Sequence, residues 1–195
     1  MGCESGDDRP ATAGQGTQPA GVTRNARATG RVEPGVMVRD AQPDELASIG
    51  DLRVAAYQAD GFLAAAAGYT PILRALGADG AGEVLAAVDG GEILGTIMLL
   101  AWPGGNLPRG PGEAEIRALA VAPHARGRGI GAALVTAVIE RAARQGVRQL
   151  LLLTLPQMHA AHRLYAGAGF ARQPDRDWSP GPGEALLAYG LALAP

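Results

Sequence analysis

The chain has 195 residues, of which 47% are hydrophobic and only 4% aromatic, and its formal net charge is -2. This length suits one domain with a short appendage, and the near-neutral charge gives no sign of a nucleic-acid partner. All 17 basic residues are arginine, and the absence of lysine excludes a Walker-type phosphate loop and a Schiff-base enzyme.

Few residues offer nucleophilic or metal-binding chemistry. The single cysteine, Cys3, lies near the start of the chain, and none of the serines (Ser5, Ser48 and Ser179) stands in a nucleophile-elbow pattern. No run of about 18 apolar residues is present to span a bilayer, and the first residues lack a signal-peptide pattern. We therefore expect a cytoplasmic protein with no metal and no membrane partner.

The start of the chain differs in composition from the rest. Residues 1–34 are rich in Gly, Ala, Pro, Thr, Asp and Arg and contain almost no large apolar side chains. Such a segment buries too little surface to offset the entropy that is lost on ordering. We predict a disordered tail over residues 1–34 and one folded domain over residues 35–195.

The first part of the domain predicts a strand, two helices and a hairpin. Residues 36–39 predict a short strand, and Pro43, followed by two acidic residues, predicts the start of a helix. A second helix is predicted over residues 62–76. Two further strands, 83–88 and 93–100, flank an Asp-Gly-Gly turn. The apolar stripe of the first helix consists of Leu46, Ile49, Leu52 and Ala56.

The second part alternates strands and helices. A strand over 113–121 precedes a long amphipathic helix that Gly146 ends, and the almost continuously apolar residues 147–155 predict a strand covered on both faces. A short helix over 159–168 and two last strands complete the order β-α-α-β-β-β-α-β-α-β-β. This order predicts an α/β fold in which a mixed sheet carries helices on both faces.

The most informative segment runs from Ala118 to Ala132, where a strand turns sharply into an amphipathic helix. Gly127, Gly129 and Gly131 allow the backbone to turn and to approach a ligand closely. The N–H groups at the helix start point outward and carry partial positive charge. The full charges at this turn belong to Arg126 and Arg128. Together these features predict the binding of a pyrophosphate.

This segment resembles motif A of the GNAT superfamily of N-acetyltransferases through Arg126, Gly129 and Gly131. Downstream, residues 161–165 followed by Gly169-Phe170 resemble motif B of the same superfamily. The resemblance covers nearly all of the chain after the tail and implies the GNAT acyl-CoA N-acyltransferase fold. It also implies that an acetyl group moves from acetyl-CoA, the cosubstrate, to a primary amine by direct attack in a ternary complex.

Other interpretations of the segment remain open. Gly127, Gly129 and Ala132 also fit the dinucleotide fingerprint G-x-G-x-x-G/A, but the strand over 150–154 lacks the acidic residue that would hold a ribose. A plain glycine-rich turn with solvated arginines is a second alternative. A third keeps the fold without the chemistry, as a non-catalytic acyl-CoA-binding or regulatory module.

The resemblance implies that acetyl-CoA lies between two parallel strands, 113–121 and 147–155, that part from each other. The pantetheine arm pairs with the backbone of the first strand, and the pyrophosphate takes the amides of the glycine-rich turn. Met158 stands where many members have an asparagine that touches pantetheine. The implied cofactor-binding residues are Leu119, Ala120, Val121, Arg126, Gly127, Arg128, Gly129, Ile130, Gly131, Ala132, Met158 and Tyr165.

Three catalytic roles are implied in the same way. The N–H of Leu119 stabilises the oxyanion, and Tyr165 occupies the general-acid position. Glu115 occupies the position that bears the glutamate base in the superfamily's histone acetyltransferases. Glu113, Glu115 and Arg117 share one strand face, so Glu115 could instead form a structural ion pair with Arg117. In that case Glu113 or a chain of water molecules would be the base.

The acceptor is not specified by the sequence. We expect a small-molecule or peptide amine, no nucleic-acid or membrane partner, and leave a homodimer open. Asp175, Asp177 and Trp178 precede the last strand, where the superfamily commonly builds an acceptor-site wall. The three histidines are interpreted as surface residues.

Overall fold

The structure, a computed structural model, describes residues 33–64, 68–107, 110–181 and 184–194. The predicted tail lies outside these ranges except for Glu33 and Pro34. The helices of the described residues are α1 (Leu46–Ala59), α2 (Tyr69–Ala75), α3 (Ile130–Arg144) and α4 (His159–Gly167). The strands are β1 (Met37–Asp40), β2 (Glu83–Asp89), β3 (Glu92–Ala101), β4 (Glu113–Val121), β5 (Gln149–Thr154), β6 (Ala171–Arg172), β7 (Trp178–Gly181) and β8 (Glu184–Ala192).

The strands form a mixed sheet in the order β1-β2-β3-β4-β5-β8-β6, with β7 paired to β8. All of these pairs are antiparallel except β4 with β5. Alternate residues of β3 pack on opposite faces of the sheet. Ile97 and Leu99 lie in the core that contains α3, whereas Met98 and Leu100 pack against Ile49 of α1. The predicted mixed sheet with helices on both faces is confirmed.

The entry of α1 is fixed by a cap of the kind that the proline and acidic residues predict. A short 3-10 turn at Pro43–Glu45 precedes the helix. The carboxylate of Glu45 accepts the N–H of Gln42 at 2.8 Å and the guanidinium of Arg39 at 2.6 and 2.7 Å. The hydrogen bonds from Arg39 and then Gln42 lower the pKa of Glu45 to about 2. These contacts tie the start of α1 to β1.

The structure differs from the predicted elements in two places. It adds the strand β7, which the sequence hides because Ser179, Pro180 and Gly181 favour turns and because the strand depends on pairing with β8. It also begins α2 at Tyr69 instead of at residue 62. Residues 61–64 form a turn there, in which the N–H of Phe62 returns to the carbonyl of Tyr57 at 3.0 Å.

Candidate active site

A gap opens between the two parallel strands at the centre of the sheet. β4 pairs with β5 only from Glu113 opposite Gln149 to Ile116 opposite Leu152. Beyond that point both strands continue, but each pairs only with its outer neighbour, β4 with β3 and β5 with β8. The inner edges of the two strands are therefore left without each other's hydrogen bonds.

A bulge in β4 marks the place where the strands part. Ala118 and Leu119 lie between the pairs Arg117–Met98 and Ala120–Thr96, so two residues of β4 stand opposite one residue of β3. Ala118 has a φ of 51°, a left-handed conformation that is uncommon for a residue with a side chain. The bulge thus lies just after Ile116–Leu152, the last pair that joins β4 to β5.

The backbone of β4 beyond the bulge presents donors to the gap. The N–H of Ala122, just after β4, donates to the carbonyl of Leu94 in β3 at 2.9 Å. Successive N–H groups along a strand point to opposite edges, so the N–H of Val121 points to the gap. The sequence predicts that Leu119 and Val121 both contact the cofactor. Because they are two residues apart, their N–H groups lie at the same edge, which suits an extended ligand that pairs with the strand.

The glycine-rich turn leads from the gap to α3. Gly127 and Gly129 have φ values of 80° and 77°, so both positions need the conformational freedom of glycine. Gly129 is the N-cap of α3, and no side chain of the described residues caps the helix there. A Cβ at Gly131 would lie 3.2 Å from a side-chain carbon of Leu164 in α4. The turn thus presents the uncapped N–H groups of a helix start.

The arginines of this turn bind carboxylates of the protein. Arg126 donates to both carboxylate oxygens of Asp60, at 2.7 and 3.0 Å, and to the carbonyl of Ala56 at 3.2 Å. Arg128 contacts Glu33 at 2.6 Å and Asp89 at 2.9 Å. The sequence predicts both side chains as phosphate-binding charges. In the structure they link the turn to its protein neighbours.

Tyr165 is the buried residue of α4, and its side chain packs in the core. Its side chain is only 6% exposed, and its ring meets Phe170 edge-on with 5.7 Å between centroids. Burial raises the pKa of Tyr165 above that of a free tyrosine. Its hydroxyl donates no hydrogen bond within the described part of the chain. The side chain is therefore a protonated donor at neutral and moderately alkaline pH.

Glu115 is buried and contacts two backbone N–H groups and one arginine. Its side chain is 2% exposed, and its Oε2 accepts the backbone N–H groups of Asn106 and Leu107 at 2.6 and 3.1 Å. Its Oε1 lies 3.7 Å from Nε of Arg117. The alternative base, Glu113, binds Arg176 through both of its carboxylate oxygens, at 2.7 and 3.1 Å.

The remaining predicted residues are more exposed than Tyr165 and Glu115. Met158 is the half-buried residue that precedes α4. His162 of α4 has its Nε2 3.1 Å from the carbonyl oxygen of Leu155, and its ring lies 5.5 Å from that of Tyr189. Asp177 pairs with Arg172 at 2.7 and 2.8 Å, a contact that lowers its pKa.

The sequence does not single out a group of side chains on α1 and α2 that reaches the bulge. Val54, Tyr57, Leu73 and Tyr69 form one apolar cluster with Ala118. Arg53, next to Val54, is completely buried. The available signal is spacing, because Arg53 follows Ile49 by four residues and so lies on the apolar face of α1.

In the part of the chain that the structure describes, no group of three acidic, histidine or cysteine residues is placed to hold a metal ion. No helix in the described ranges is long and apolar enough to cross a membrane.

Comparisons with known proteins identify relatives of this chain. Residues 47–170 match the model of the acetyltransferase (GNAT) family. A mycothiol acetyltransferase of Cellulomonas flavigena is 38% identical over 97 residues, which are 48% of this chain and 28% of that protein. The N-acetyltransferase family 8 member 2 of Rattus norvegicus is 33% identical over 91 residues, 47% of this chain and 39% of that protein. The matched segments thus span less than half the length of these relatives.

Solved structures resemble the fold over most of the chain. A GNAT acetyltransferase of Staphylococcus aureus has a TM-score of 0.64 at 16% identity, and the match covers 82% of this chain and 99% of that one. An acetyltransferase of Salmonella typhimurium, solved with its cofactor acetyl-CoA, has a TM-score of 0.58 at 21% identity, with 82% and 95% covered. At these identities the likeness shows the fold alone.

Proposed function

The chain belongs to the acetyltransferase (GNAT) family, and from this premise we propose that it transfers an acetyl group from acetyl-CoA to a primary amine, by direct attack in a ternary complex. The observation that carries the proposal is the gap between β4 and β5 together with the uncapped start of α3, which follows β4 along the chain through the glycine-rich turn. An extended pantetheine arm fits the first feature and a pyrophosphate fits the second.

Acetyl-CoA binding is assigned to backbone groups. The N–H groups of Leu119 and Val121 take the pantetheine arm, and the amides from Arg126 to Ala132 take the pyrophosphate. Because Arg126 and Arg128 are engaged with carboxylates, the backbone is the main phosphate ligand of this proposal. The two arginines supply positive potential near it and fix the shape of the turn.

The transfer itself needs an oxyanion donor and an acid. We assign the first to the N–H of Leu119, beside the bulge, because a fixed backbone donor costs no reorganisation during the reaction. Tyr165 is assigned as the acid that protonates the departing thiolate. Its burial keeps it protonated, which the role requires.

The general base is assigned to Glu115, acting through water. Its Oε2 is engaged by the two loop amides, so the proton is assigned to Oε1, which accepts no hydrogen bond from the described residues. Glu113 is less suited, because Arg176 engages both of its oxygens.

A steady-state assay of thiol release from acetyl-CoA, run with a panel of primary amines, tests the proposal. Direct attack predicts intersecting double-reciprocal lines and no acetylated enzyme by mass spectrometry. Parallel lines with a covalent acetyl group on the protein would contradict direct attack. Binding of acetyl-CoA without amine-dependent thiol release would instead indicate a non-catalytic acyl-CoA-binding module.

A further inference from the structure

Arg53 of α1 is completely buried, with 0% of its surface exposed. Its Nη1 donates a hydrogen bond to the carbonyl oxygen of Leu76 at 2.6 Å. Its Nε and Nη2 have no hydrogen-bond partner among the residues that the structure describes. These two nitrogens form one edge of the planar guanidinium, so a complete donor edge of a buried cation is unpaired.

An unpaired buried cation opposes folding and needs an explanation. Burial lowers the pKa of Arg53 to about 10, so the side chain is still charged at neutral pH. No carboxylate of the described residues forms an ion pair with it. By contrast, Arg126, Arg128 and Arg176 each bind a carboxylate. Arg53 therefore stands apart from these arginines in environment and in pairing.

The surroundings of Arg53 connect it with the proposed reaction centre. Tyr57, one turn further along α1, packs with Tyr69 and with the bulge residue Ala118. The pKa of Tyr57 is raised mainly by burial, then by Tyr69 and Tyr165, and is lowered by Arg53 and Arg117. Arg53 directly precedes Val54, which lies in one cluster with Ala118 and with Tyr57 and Tyr69. The buried arginine therefore lies beside the cluster that contacts the bulge.

We propose that the Nε–Nη2 edge of Arg53 binds a carboxylate of the acceptor, so that the acceptor is an amine that also carries a carboxylate, as amino acids do. The inference rests on the proposed transferase function and defines its substrate class. A carboxylate offers two coplanar oxygens that match two parallel N–H groups of a guanidinium. Since no part of Arg53 is exposed, the carboxylate reaches it when neighbouring side chains shift on binding.

The test compares acceptors in matched pairs, each an amino acid and its amide, in the thiol-release assay. We expect the preferred amino acid to exceed its amide in kcat/KM by roughly 100-fold or more, the size of two charge-assisted hydrogen bonds. Arg53→Met is expected to abolish this difference by lowering the kcat/KM of the amino acid, while the Kd of acetyl-CoA stays unchanged. The control Arg74→Met removes an arginine that is exposed and paired with Asp51, and it should leave the preference intact.

Stability distinguishes substrate binding from a purely structural role. Methionine fills much of the same volume without the unpaired donors, at the cost of one hydrogen bond to Leu76, and apolar replacement of buried charge is often neutral or stabilising. We therefore expect the Tm of Arg53→Met to equal or exceed that of the wild-type protein. A lower Tm together with an unchanged acceptor preference would make Arg53 a structural anchor and overturn the inference.

The failure of the transferase proposal gives a different result. If acetyl-CoA binds but no amine releases thiol, the transferase proposal fails. The carboxylate site would still be supported if N-acetyl amino acids raise the Tm of the wild-type protein but not that of Arg53→Met. If amines without a carboxylate are acetylated as efficiently as amino acids, the transferase proposal holds and the carboxylate site is refuted.

Discussion

Glu115 ties the loop between β3 and β4 to the strand, because its Oε2 accepts the backbone N–H groups of Asn106 and Leu107. The packing is close, since a Cβ at Gly105 would overlap that same oxygen. A residue that holds a loop in this way affects stability whether or not it also takes a proton. The two roles need substitutions that separate them.

Glu115→Ala is expected to lower the free energy of unfolding by about 2–4 kcal/mol, because it leaves two amide donors without an acceptor. Glu115→Gln keeps an acceptor oxygen for those amides and should preserve most of that stability. If Glu115 is the base, Glu115→Gln also lowers kcat by roughly 100-fold or more. Urea unfolding and steady-state kinetics on both variants check this. Equal stability of Glu115→Ala and wild type would contradict the anchoring role.

Tyr165→Phe is expected to lower kcat by roughly 10²–10⁴-fold with the KM for acetyl-CoA nearly unchanged, because the hydroxyl acts on charge that exists only in the transition state. Burial raises the pKa of Tyr165 above its ordinary value. Ionisation of this residue should therefore not reduce the wild-type kcat at any pH up to about 10. Tyr189→Phe, on the half-buried β8 tyrosine that contacts His162, is the control. An undiminished kcat in Tyr165→Phe would assign this side chain to packing alone.

For single residues, the sequence indicates which side chains could act in the chemistry, but not which groups they contact in the folded protein. It places Tyr165, Glu115 and the glycines of the turn on the right elements. Spacing places Arg53 on the apolar face of α1, but the sequence does not reveal the partner of its Nη1, a carbonyl 23 residues away. The pairing of Arg128 with Glu33 likewise joins residues 95 positions apart. Contacts of this kind depend on the assembled fold and have no local pattern.

Elements with a strong period or a clear turn are predicted well. β4 has the predicted bounds, Glu113–Val121, and α3 ends before Gly146 as expected. The bulge at Ala118 is not visible in the sequence, since alanine has no preference for a φ of 51°. Even so, this bulge lies just after the last residue pair that joins β4 to β5.

Gly129→Val is expected to weaken acetyl-CoA binding severely, because a branched side chain at a φ of 77° strains the turn and covers the N–H groups at the start of α3. Gly146→Val is the matched control, at the other end of the same helix, with a φ of 74° and open space around a Cβ. Both should lower Tm, but only Gly129→Val should raise the Kd measured by calorimetry. Normal binding by Gly129→Val would mean that this turn does not hold the pyrophosphate.

The proposed site lies at β4 and β5, which form the parallel pair of the described sheet. The order of elements predicts a mixed sheet with covered faces, and the structure confirms it, but the strand order β4-β5-β8 arises from long-range pairing. The start of the described chain also reaches the glycine-rich turn, because Arg128 is shared between Glu33 and Asp89 at 2.6 and 2.9 Å. Residues before the first strand therefore bear on the electrostatics of the turn.

Removal of residues 1–34 deletes Glu33 and leaves Arg128 with Asp89 alone. Exposed ion pairs contribute at most about 1 kcal/mol. We therefore expect the shortened protein to bind acetyl-CoA as tightly as the full chain, or up to about fivefold more tightly. The released guanidinium becomes more available to phosphate, which should make binding by the shortened protein more sensitive to salt. Glu33→Gln in the full chain removes the same charge without removing the segment, and calorimetry should give the same shift for both proteins. A loss of affinity of about tenfold in the shortened protein alone would show that residues before Glu33 take part in binding.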